Sequence, residues 1–79
     1  MDKDQQEQKR FLEEQLQWTR EQDRILEEID EKLHEMKRIA EYALEHEPSV
    51  LETNKLNSQL KELKDEVQSL ERQLQSMIH

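Results

Sequence analysis

Apolar residues in the second half of the chain fall into a narrow, regular seam. Leu56, Leu60, Leu63, Val67, Leu70, Leu74 and Met77 alternate spacings of four and three. This is a heptad pattern, with Thr53, Leu60, Val67 and Leu74 in one core column and Leu56, Leu63, Leu70 and Met77 in the other. The flanking columns are mostly polar: Asn57, Lys64 and Glu71 on one side, Glu52, Gln59, Glu66 and Gln73 on the other. A stripe this narrow predicts a helix that packs against one main partner.

The first half is broader. One column at seven-residue spacing reads Phe11, Trp18, Ile25, Lys32, Ile39. Its neighbour reads Leu12, Thr19, Leu26, Leu33, Ala40, and a third reads Gln8, Gln15, Gln22, Ile29, Met36, Ala43. Three apolar columns predict a helix that touches more than one neighbour. The glutamines of the third column are either register-setting polar residues at seam positions or simply exposed near the helix start.

Between the two patterns stands Pro48, the only proline. Proline disfavours helical backbone in the residue before it, so the first helix is expected to stop near His46. Ser49-Val50-Leu51-Glu52 then has the S-x-x-E form of a capping box, in which serine accepts from an amide three residues on. Stop and start signals coincide. The pattern predicts helix 1 over about 4–46, a turn at 47–49 and helix 2 over about 49–78, in one all-α domain spanning 1–79.

Folding the chain back about Pro48 pairs Ala40 with Leu56, Met36 with Leu60, Leu33 with Leu63 and Ile29 with Val67. It also pairs Leu26 with Leu70, Gln22 with Leu74 and Thr19 with Met77. A straight continuation instead brings Glu47, Val50, Asn54 and Asn57 into phase and breaks the register. Short connections favour antiparallel neighbours. The expected architecture is therefore an antiparallel two-helix hairpin, coiled-coil-like, broken at Pro48. The alternative is a bent or segmented parallel coiled coil.

A hairpin leaves the start of helix 1 extending past the end of helix 2, with Phe11, Leu12 and Leu16 uncovered. Trp18, Ile25 and Ile39 are expected beside the seam rather than wholly within it. These six residues form the candidate protein-interaction surface. The expected assembly is a dimer of hairpins, a four-helix bundle joined through helix 1.

Composition narrows the function. Twenty acids against twelve bases give a formal charge of −8, and residues 1–47 hold fifteen of the acids with eight bases. An acidic chain is not expected to bind nucleic acid or an anionic membrane directly. Glu27, Glu31 and Glu35 form a like-charged ladder that either faces solvent or offers a docking strip to a basic partner. With no Gly there is no phosphate-cradling loop, and with no Cys there is neither a disulfide framework nor a thiolate metal site. No apolar run has the length of a membrane span, and no leader segment is evident, so a cytoplasmic location is expected.

Chemistry offers little. Glu31-Lys32-Leu33-His34 has the E-x-x-H spacing of di-iron helical bundles, but a second copy is missing and His34 is expected to turn to solvent. Glu45-His46-Glu47 reads as a helix terminus. Acid–base catalysis needs a water-poor pocket, for which two helices leave scant room. No metal, cofactor, small-molecule substrate or catalytic residue is expected. The expectation is a small soluble coiled-coil protein acting through protein–protein contact, as adaptor, scaffold or regulatory subunit. Two alternatives stand beside it: an acidic antagonist that covers the basic surface of a nucleic-acid-binding protein, and a purely structural oligomerisation segment.

Overall fold

The computed structural model describes residues 2–78 and consists of two helices. Helix α1 spans Lys3–His46 and helix α2 spans Val50–Met77, with 44 and 28 residues respectively. The two pack as a hairpin 70 Å long and only 19 × 14 Å across. The long dimension is that of α1 itself, since 44 residues at about 1.5 Å each make a rod of about 66 Å.

Local chemistry accounts for the helix ends. Asp2 caps α1, its Oδ1 accepting from the Gln5 amide at 2.9 Å. Ser49 caps α2, its Oγ accepting from the Glu52 amide at 3.2 Å, which is the serine half of the expected capping box. Glu47, Pro48 and Ser49 connect the helices. Glu47 ends α1 in the left-handed region, at φ 42° and ψ 64°. Helix ends commonly reverse through such a residue, usually glycine. A chain without glycine has placed a Cβ-bearing residue there, at a cost of about 1–2 kcal/mol.

The core is thin. Ile25 of α1 and Leu63, Val67 and Leu70 of α2 are its buried side chains. Gln22, Ile29, Lys32, Met36, Ile39 and Ala43 on α1 are half-buried, as are Leu56, Leu60, Leu74 and Met77 on α2. The α2 seam is therefore the heptad seam of the sequence.

The α1 seam differs from the expected one by a rotation about the helix axis. Its two columns are Trp18, Ile25, Lys32, Ile39 and Gln22, Ile29, Met36, Ala43. Leu26 and Leu33, expected in the seam opposite α2, are instead 45% and 48% exposed, whereas Ile25 is 2% exposed. Lys32 explains why the sequence misleads here. A lysine interrupts that column, while its rival carries Leu33 at the same level. The ammonium reaches out of the seam to Glu66 Oε2 at 2.6 Å, so the stem can cover core without burying the charge.

Candidate interaction surface

Two cross-helix polar contacts set the register on which the surface is built. The Trp18 indole nitrogen donates to the Met77 carbonyl oxygen at 3.1 Å. Lys32 Nζ donates to Glu66. Both lie within one turn of the register expected from mirroring the chain about Pro48. Pairing ends at Trp18, because α2 ends at Met77. Residues 3–17 of α1 thus form an overhang of about 22 Å.

The six residues expected to form an interaction surface divide into two groups. Phe11, Leu12 and Leu16 lie on the overhang and are exposed. Trp18 is 38% exposed and already spends its donor within the chain. Ile25 corrects the expectation, as the most deeply buried side chain of the seam, while Ile39 is half-buried and lines the groove beside Lys32. The physical reason is the same rotation of α1, which brings their column into the seam. Gln8 and Gln15 are exposed on the overhang, and Gln22 is half-buried where pairing begins.

Sequence reasoning missed other exposed apolar residues. Leu26 and Leu33 follow from the rotation. Leu44, Val50 and Leu51 crowd the turn end and are nearly bare, Leu44 at 83%. The available signal was that Leu44, Val50 and Leu51 belong to no apolar column, so no intrachain partner awaited them.

The two long edges of the hairpin differ. One is a charged groove lined by residues that include Lys32, Glu35, Gln59, Glu62 and Glu66. There Lys32 has its pKa raised above the ordinary lysine value near 10.5, chiefly by the hydrogen bond to Glu66, against desolvation as the next largest effect, with the charges of Glu66, Glu35 and Glu28 adding to the rise. The other edge carries Leu12, Leu26, Leu33 and Ala40 from α1 and Val50, Lys64, Glu71 and Ile78 from α2. Its leucines are exposed, and the adjoining Ile29, Met36, Leu60 and Leu74 are only half-buried.

His34 and His46 are occupied locally. His34 Nδ1 donates to the Asp30 carbonyl oxygen at 2.9 Å and lies 3.5 Å from the Asp30 carboxylate. His46 donates to the Tyr42 carbonyl oxygen at 3.0 Å, its ring stacked on Tyr42 at 4.2 Å between centroids. Among the described residues no group of three or more His, Cys, Asp or Glu is arranged to hold a metal ion. Among them too, no helix is long and apolar enough to cross a membrane. No family model matches the chain, and no curated protein or solved structure matches it significantly.

Proposed function

We propose that the protein is a protein–protein interaction module whose first partner is itself, assembling as a dimeric four-helix bundle. The observation that carries this reading is the uncovered leucine edge of α1, running from Leu12 through Leu26 and Leu33. A hairpin with four buried side chains among its described residues is also short of core. Domains of this size rarely gather more than about 3–5 kcal/mol from one core and gain the rest by association or staples. We attribute the stop of α1 at His46 to Pro48, which disfavours helical backbone at Glu47. The adaptor, scaffold or regulatory role is then played by whatever surface the bundle leaves free, the overhang with Phe11 above all.

Sedimentation equilibrium on the full chain across low to high micromolar concentration tests the reading. A mass that rises to twice 9.7 kDa supports it. A mass that stays at one chain throughout removes it.

A second reading is favoured by the groove of Glu35, Glu62 and Glu66, which offers a row of carboxylates to a basic protein. Such binding weakens steeply with salt, whereas association through leucines does not.

A further inference from the structure

The exposed edge has an internal symmetry that says how a second copy would sit on it. The columns of α1 that border this edge are Leu12, Thr19, Leu26, Leu33, Ala40 and, one step further out, Lys9, Leu16, Asp23, Asp30, Lys37, Leu44. Turned end for end about a point between Ile29 and Asp30, the first column lays Leu26 on Leu33 and Thr19 on Ala40 of the other copy. In the second column the same turn, centred half a residue on at Asp30, lays Leu16 on Leu44 and Asp23 on Lys37. Leucine meets leucine, and acid meets base.

Helix α2 carries the same symmetry independently. Its polar column on this edge includes Asn57, Lys64 and Glu71. Rotation about a point between Val67 and Gln68 places Lys64 against Glu71 of the other copy, twice. That point is level with the α1 centre, because the Trp18–Met77 and Lys32–Glu66 contacts put Ile29 and Asp30 opposite the α2 turn that holds Val67. One two-fold axis therefore serves both helices.

We infer that two copies pack edge to edge about this axis as an antiparallel dimer of hairpins, in which the overhang of each α1 covers the bare turn end of the other. This rests on the self-association proposed above and specifies its geometry. Two features without a use in the single chain then account for each other. Leu12 and Leu16 of the overhang reach the level of the partner's turn, where Leu44 and Val50 stand exposed.

Charge selects this orientation over the parallel one. A parallel pairing through α1 sets Asp23 on Asp23 and Lys37 on Lys37. Each like pair is mildly unfavourable, and together they discriminate between arrangements more than they add to affinity. The antiparallel arrangement retains a single like-charged meeting, Asp30 with its own copy at the axis. There His34 already stands beside the carboxylate.

The chain has no cysteine of its own, so introduced thiols report on this geometry without interference. Leu16→Cys and Leu44→Cys each alter an exposed position, and circular dichroism confirms that each variant keeps its helices. Mixed and oxidised, the two variants are expected to form a disulfide-linked heterodimer at least about tenfold faster than either forms a homodimer, because only the mixed pair is held together. In the proposed dimer the two Leu16 positions lie roughly 40 Å apart. Rapid linkage of Leu16→Cys to itself establishes parallel pairing and overturns the inference. A dimer mass by sedimentation with no preferential linkage also overturns it, while leaving self-association standing. A monomer mass overturns both.

Discussion

The Trp18 indole nitrogen donates to the Met77 carbonyl oxygen at 3.1 Å, so a side chain of α1 closes the last turn of α2. The final carbonyls of a helix have no partner within it. This bond satisfies one of them and marks where pairing stops and the overhang begins.

Trp18→Phe removes that donor and keeps an aromatic ring. The expected cost is about 0.5–1 kcal/mol, the net worth of a partly exposed hydrogen bond. Its location is the sharper test. Amide exchange should quicken in the last turn of α2 and stay unchanged around Leu63. Uniform loss of protection along α2 would show that Trp18 supports the seam as a whole rather than its end.

Neighbouring residues Ile25 and Leu26 are expected to respond very differently to truncation. Ile25→Ala opens a cavity at the most buried position and should cost about 2–4 kcal/mol, which is enough to unfold much of a small hairpin. Leu26→Ala, at a position 45% exposed in the single chain, should cost far less monomer stability and chiefly weaken self-association. Denaturation at low concentration and sedimentation at high concentration separate the two effects. Equal destabilisation by both variants at low concentration would return the seam to the column that holds Leu26.

That pair of residues also measures what the sequence could tell. The α2 seam was legible because its two apolar columns have no rival. The turn was legible because Pro48 and the Ser49 cap lie side by side. On α1 three columns competed, and periodicity alone cannot choose between neighbours one residue apart. Counting apolar residues favours Leu33 over Lys32, but a lysine can cover core with its stem and place its charge on Glu66. The overhang residues Phe11, Leu12 and Leu16 were legible from helix lengths alone. Leu44, Val50 and Leu51 were legible only as a negative signal, since they belong to no apolar column.

Glu47 holds left-handed backbone that suits glycine, and it puts a negative charge at the negative end of α1. Glu47→Gly relieves both. Glycine's own entropy loss offsets part of the gain, so the expected net stabilisation is about 1 kcal/mol. A urea denaturation midpoint that rises with an unchanged slope would support this. A midpoint that falls would mean that the left-handed turn is not what reverses the chain in solution.

Lys32 and Glu66 give the hairpin a dependence on alkaline pH. Folding raises the Lys32 pKa above its ordinary value near 10.5, chiefly through the hydrogen bond that Glu66 accepts. A group whose pKa rises on folding binds its proton more tightly in the folded state. Its contribution is therefore complete below the unfolded value and is lost as pH rises through the raised one. Melting temperature should fall over that window in the wild-type chain. Lys32→Met keeps an apolar stem at the same seam position and removes the titrating group, so its melting temperature should fall less over the same range. The other lysines titrate in both proteins and cancel in the comparison. Parallel pH curves for the two proteins would show that the ion pair contributes nothing to the folded hairpin, leaving the lysine stem as the only reason for Lys32 to occupy the seam.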